Sequence, residues 1–176
     1  YKGQANGGCM VATDVWGGGC TYETIYVAAY DTRGQLIWEN TVLDYSSITI
    51  NKAMVCSDGG YILTGYVDTG TDCAVWSGFV LKLDTQGKKQ WDTLLGDDYD
   101  YHCNDIIETK NGFDILLPGS IKSLDNQGNI TADYPLEQIQ IYSFLKSPGE
   151  EWFALAPGSC FDMSGTARVN IQDGIV

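Results

Sequence analysis

The chain has 176 residues, 44% hydrophobic and 12% aromatic, enough to bury a core within one domain. Its 23 acids against 10 bases give a net charge of −13, which repels phosphate backbones and anionic lipid heads and so argues against nucleic-acid and membrane-surface partners. No run approaches the roughly 18 apolar residues that a membrane-spanning helix needs.

Residues Tyr1 to Asn6 carry no pattern, and Gly7-Gly8 then opens a strand-like run from Cys9 to Val15. Gly17-Gly18-Gly19 breaks it, and Thr21 to Tyr30 reads as a second strand. Asp31 to Gly34 turns the chain, Gln35 to Val42 returns, and the β-branched run Ser47 to Cys56 makes a fourth strand before Asp58-Gly59-Gly60. The same order follows again. Tyr61 to Tyr66, Phe79 to Leu83, Gln90 to Leu95 and Asn104 to Thr109 are predicted strands, and Asn111-Gly112 closes the set. Phe79, Leu81 and Leu83 alternate with Val80 and Lys82, the period of a strand with two distinct faces.

The hairpin Asp31-Thr32-Arg33-Gly34-Gln35-Leu36-Ile37-Trp38 recurs 53 residues on as Asp84-Thr85-Gln86-Gly87-Lys88-Lys89-Gln90-Trp91. At that offset Cys20/Cys73, Val27/Val80, Asp44/Asp97, Asn51/Asn104 and Gly59/Gly112 also match. A fixed period of that size is the mark of a repeat architecture. Aspartate accepts hydrogen bonds from the backbone just beyond it, and glycine supplies the positive φ of the tip. The tryptophan lands on the returning strand, where it is expected to bury a flat surface against the neighbouring sheet.

A third unit reads as shorter. Phe113 to Leu117 opens it, the turn recurs at Asp125-Asn126-Gln127-Gly128, and Ala132 stands in the tryptophan's place. Ile139 to Leu145 is its closing strand, before Ser147-Pro148-Gly149. A fourth unit is a remnant, from Glu151 to the Asp173-Gly174 turn. The units therefore run about 7–58, 59–111, 112–148 and 149–174 within one repeat domain, 1–176. Helical periodicity is absent. The expected fold is all-β, with antiparallel four-stranded units stacked because one such unit cannot cover its own face.

Asp-x-x-Gly-x-x-x-Trp after an apolar strand, with Ser57-Asp58-Gly59-Gly60-Tyr61-Ile62-Leu63-Thr64-Gly65, resembles the β-propeller-type repeats of secreted bacterial and archaeal proteins. It is similar, more distantly, to quinoprotein-type tryptophan-docking repeats. The resemblance covers about residues 7–120 well and implies a propeller-like arrangement, incomplete or open, in which Asp31, Gly34, Trp38, Asp84, Gly87, Trp91, Asp125 and Gly128 are structural. It implies no activity.

Gly7-Gly8 and Asp173-Gly174 fall at one phase of the repeat, so the chain holds whole units. Its ends can meet and close a small irregular propeller. They can stay open and pair with another copy, or the chain can be an excised piece of a longer array. An open edge is a template for another chain. The start at Tyr1 rather than Met leads us to expect a processed or excised product.

Six cysteines, Cys9, Cys20, Cys56, Cys73, Cys103 and Cys160, include no Cys-x-x-Cys pair. Their even count and wide spacing suit disulfides in an oxidising compartment, with buried thiols as the alternative. Asp97, Asp98 and Asp100 are candidate oxygen ligands for Ca²⁺, though without EF-hand spacing, and a solvated loop is the competing reading. No other cofactor is implied. Trp16, Trp76, Tyr99, Tyr101 and Trp152 lie outside the docking position and are candidate sugar-stacking faces, against packing as the alternative. His102, the one histidine, has no Gly-x-Ser-x-Gly elbow to serve. The expected function is a secreted, extracellular or cell-surface module that is not an enzyme. Its partners are further copies or neighbouring repeats. A carbohydrate-binding lectin is the alternative.

Overall fold

In the computed structural model the alternating runs of the sequence form strands and the Gly-containing clusters form the turns between them. The structure describes residues 9–15, 23–70, 75–96, 102–136, 143–146, 152–156 and 165–168. All of their regular structure is strand, in antiparallel sheets whose strands follow chain order. The first sheet holds β1 (Cys9–Val15), β2 (Glu23–Tyr30) and β3 (Leu36–Tyr45). The second holds β4 (Ile48–Val55), β5 (Tyr61–Asp68), β6 (Trp76–Leu83) and β7 (Lys89–Leu94). The third holds β8 (Asp105–Thr109), β9 (Gly112–Leu117), β10 (Ser120–Asp125) and β11 (Ile130–Pro135). The fourth holds β12 (Ser143–Lys146), β13 (Trp152–Ala156) and β14 (Gly165–Arg168).

Each sheet is thus an up-and-down meander, the form of a propeller blade. Inner strands β5, β6 and β9 are buried almost throughout. Outer strands β7 and β11 alternate exposed and half-buried residues, as strands with one covered face do.

The chain divides into two compact units, residues 1–102 and 103–176. In the first unit the two sheets share one core. Met10, Ile25 and Val27 from the first sheet meet Leu63, Phe79 and Leu81 from the second. Burying each such side chain stabilises the fold by about 1.5–3 kcal/mol. Glu23 Oε2 accepts a hydrogen bond from the Ile48 N–H at 2.6 Å, tying β2 to the start of β4. In the second unit Ile106, Ile115, Leu116 and Leu117 are buried. Ser143 Oγ there donates to Asp105 Oδ2 at 2.8 Å and links β12 to β8.

The all-β expectation and its antiparallel sheets hold. The third unit is the shorter one, and β8 to β11 still make a sheet of four, like β4 to β7. Its shortness lies in a connection: Pro118-Gly119 joins β9 to β10, where residues 69–75 join β5 to β6. The sheets are also out of phase with the sequence units. Strands β4 and β8, which close a unit in sequence, open the next sheet. A sequence period has no intrinsic starting point, whereas hydrogen bonding does. The first and fourth sheets have three strands each among the described residues.

Candidate functional site

The hairpins come first, since they set the geometry of everything near them. Asp31 Oδ1 accepts from the N–H groups of Arg33 and Gln35, both at 2.8 Å, while Gly34 N donates to Asp31 O at 3.0 Å. Asp84 does the same with Gln86 and Lys88 at 2.8 and 2.9 Å, and Asp125 with Gln127 and Asn129, both at 2.9 Å. Gly34, Gly87 and Gly128 take φ of 77°, 72° and 83°, a region that side chains disfavour. Asn129 adds its side-chain amide to Asp125, and these hydrogen bonds hold the Asp125 carboxyl below the usual carboxylate range. A register shift beside each hairpin sets Trp38 opposite Ala29, Trp91 opposite Lys82 and Ala132 opposite Ser123.

Trp38 performs the docking expected of it. A Cβ at Gly87 would come within 2.2 Å of the Trp38 ring, so the ring lies directly on the next sheet's hairpin. Its edge meets Tyr61 at a centroid distance of 5.7 Å. Asn40 Nδ2 donates to Gln86 O at 2.8 Å alongside. The hairpin of the second sheet is therefore clamped by a ring and an amide from β3.

At the opposite end of the second sheet the structure assembles an aromatic cluster. Trp76, at the start of β6, packs edge-on against Tyr66 of β5 at 5.4 Å. The His102 ring meets Tyr66 from another direction at 4.3 Å. Gly78 stands directly opposite Tyr66 and leaves room for the rings. The buried Asp68 carboxylate beside them is already committed, accepting from Gly70 N at 2.9 Å and Val75 N at 3.3 Å. Tyr66 was missed in the sequence. An aromatic facing a glycine across a strand pair was the available signal.

Other candidates are placed as follows. Trp16, Tyr99, Tyr101, Asp97, Asp98, Asp100, Cys20, Cys73 and Cys160 lie outside the described residues. Trp152 opens β13 opposite Lys146, and Cys9 opens β1 opposite Tyr30. Cys56 and Cys103 are buried thiols, and Cys103 Sγ donates to Asp105 O at 3.6 Å. Among the described residues no group of three or more His, Cys, Asp or Glu is placed to hold a metal ion.

The two buried lysines, Lys82 and Lys122, are each paired with an aspartate. Lys82, buried in β6, reaches Asp58 Oδ2 at 2.8 Å and Leu83 O at 3.2 Å. Gly60 makes this approach feasible, since a Cβ there would stand 2.6 Å from the Lys82 nitrogen. Burial pushes Asp58 up, but the Lys82 ammonium and the Gly60 N–H outweigh it and hold the carboxyl below the usual range. Asp114 is the reverse case. Burial raises it, and the bond from Ser123 Oγ at 2.6 Å only partly offsets this. Lys122 pairs with Asp133 across β10 and β11. The Tyr26 hydroxyl donates to Glu39 and is pushed up to about 12 by that bond.

Fold and geometry together define an all-β repeat protein of meander sheets with Asp-anchored hairpins. No family model and no curated protein matches the chain. Among solved structures it is similar to a protein of unknown function from Bacteroides caccae, at 11% identity and a TM-score of 0.49, over 87% of this chain and 58% of that one. It is also similar to the WD40 β-propeller domain of Doa1, at 11% identity and a TM-score of 0.35, over 76% of this chain and 56% of that one. The chain thus spans less than two thirds of the length of either.

Proposed function

We propose that this protein is an exported, non-enzymatic structural and interaction module of the propeller-type repeat class, which associates with further copies through the edges of its sheets. One observation carries the reading. Of the six large hydrophobics exposed among the described residues, five lie on edge strands: Val11 on β1, Leu36 and Ile37 on β3, Leu94 on β7 and Ile130 on β11. An edge strand offers main-chain donors and acceptors, and apolar side chains beside them reward a second strand for docking. Cys56 and Cys103 are buried thiols rather than the disulfide partners expected of them, and the remaining even set, Cys9, Cys20, Cys73 and Cys160, supports an oxidising compartment. Negative-stain imaging with light scattering over a concentration series tests the association. Rings or filaments are expected, and a strict monomer at high concentration overturns the proposal.

The rings of Trp76 and Tyr66 favour a second reading, a glycan-binding face, because sugar C–H faces stack on aromatic surfaces. A glycan array with and without Ca²⁺ checks it, and the absence of any binder in both conditions disposes of it.

A further inference from the structure

The connection between β8 and β9 is two residues long, Lys110-Asn111, and sets Thr109 opposite Gly112. Asparagine suits loops of this length, because it tolerates the backbone angles they demand. Gly112 is fixed by two further constraints. Its φ of 150° is one that residues with a side chain rarely adopt. A Cβ there would also stand 1.9 Å from the Leu124 carbonyl oxygen. The hairpin therefore requires glycine after Asn111. Asn40, Asn51, Asn104, Asn126 and Asn129 are each followed by a residue with a side chain. Among the described asparagines, Asn111 alone precedes a main-chain nitrogen that no neighbouring side chain shields.

Asn111 is exposed, and among the described residues its side chain makes no hydrogen bond. Its main-chain N–H donates to Thr109 Oγ1 at 3.4 Å. Asp58-Gly59, the similar pair before β5, is held differently. Asp58 Oδ1 accepts from Gly60 N and Oδ2 from Lys82 Nζ, both at 2.8 Å. An ionised carboxylate is a poor electrophile, and a fixed one cannot swing toward the next nitrogen. The Asn111 carboxamide is neutral and unrestrained. We propose that Asn111 is a site of self-modification, where the side-chain amide is lost to water and the main chain is rerouted as isoaspartate. The Gly112 nitrogen gives its proton to a solvent base and bonds to Asn111 Cγ. The Cγ–Nδ2 bond breaks, and the side-chain nitrogen leaves as ammonia. The cyclic imide then takes up water. Opening at Cγ gives aspartate, and opening at the Asn111 main-chain carbonyl carbon gives isoaspartate, in which the chain runs through Cβ and Cγ. One water is consumed, one ammonia is released, and nothing is oxidised or reduced. Isoaspartate lengthens the connection by a carbon atom. It so shifts Gly112 against Thr109, at the end of the ladder that carries the buried Ile106 and Ile107.

The intact chain, held folded in mildly alkaline buffer, is sampled over time, digested, and its peptides resolved by liquid chromatography and mass spectrometry. The peptide containing Asn111 should lose its amide before those containing Asn40, Asn51, Asn104, Asn126 and Asn129, with isoaspartate and aspartate products eluting apart. In heavy-oxygen water each product should carry one heavy oxygen, the signature of the opened imide. Asn6-Gly7 lies outside the described residues and is followed on its own peptide. Asn111→Gln, whose longer side chain closes the ring poorly, should keep its amide over the same period. Freshly prepared Asn111→Asp carries the added charge without the rerouted chain. Aged protein enriched in isoaspartate should therefore unfold at a lower urea midpoint than both fresh parent and Asn111→Asp. Loss of the Asn111 amide no faster than at the other five asparagines overturns the proposal, as does isoaspartate-containing protein that is as stable as Asn111→Asp.

Discussion

Asp58 and Asp114 are aspartates of opposite sign. Burial raises Asp58, but its lysine and backbone partners hold the net value low, so its ionised form is favoured in the folded state. Its contribution is present above the ordinary aspartate range and is lost as pH falls through that range toward the lowered folded value. Asp114 is held high by burial, so its protonated form is favoured in the folded state. Its contribution is present at low pH and is lost as pH rises from the ordinary aspartate range through the raised folded value. Denaturant titrations at stepped pH read these terms separately. Asp58→Asn should flatten the loss of stability on acidification. Asp114→Asn should steepen that net loss, by removing the opposing term, and should raise the urea midpoint at neutral pH relative to the parent. An Asp114→Asn protein less stable than the parent at neutral pH would show that the Ser123 bond to a carboxylate outweighs the cost of burying the charge.

Among the hairpins, equal sequence does not mean equal environment. Gly34 and Gly87 share a left-handed φ, but a Cβ at Gly34 meets nothing within 4 Å, while one at Gly87 strikes the Trp38 ring. Gly34→Ala should therefore cost only the backbone strain, about 1–2 kcal/mol. Gly87→Ala should cost a further ~1–3 kcal/mol for displacing the ring. Urea midpoints give the comparison, and equal losses would mean that the ring moves away freely. The hairpins were legible in the sequence because their chemistry is local: aspartate, glycine and tryptophan act within eight residues of one another. Strand β1 was legible to the residue, and β8 and β9 to within one residue at each end. β10 and β11 were not picked out as strands. Pro118-Gly119 reads as a break after β9 rather than as the two-residue connection it is, and Ala132 removes the tryptophan that marks the returning strand. The grouping of strands into sheets was equally hidden, because a repeat reads the same from any starting point. The Tyr66, Trp76 and His102 cluster joins residues from two strands and a connection, which no local pattern announces.

At the level of the molecule, charge and edges pull in opposite directions. Two copies at −13 each repel across any shared edge. Raising ionic strength shortens the screening length from about 10 Å at 0.1 M salt to about 3 Å at 1 M, so association should strengthen with salt. Scattering mass measured along a sodium chloride series should rise, and a fall would point to an interface held by ion pairs rather than by strands. Within the first unit the grip also has a direction along the chain. Trp38 is contributed early, but the surfaces it closes on, Tyr61 and the Gly87 turn, come later. During synthesis the ring emerges from the ribosome before its partners do, at chain growth of about 5–20 residues per second. For those seconds a large aromatic and the unfinished sheet beside it stand uncovered. The first sheet is secured by this ring only when the second hairpin has been made.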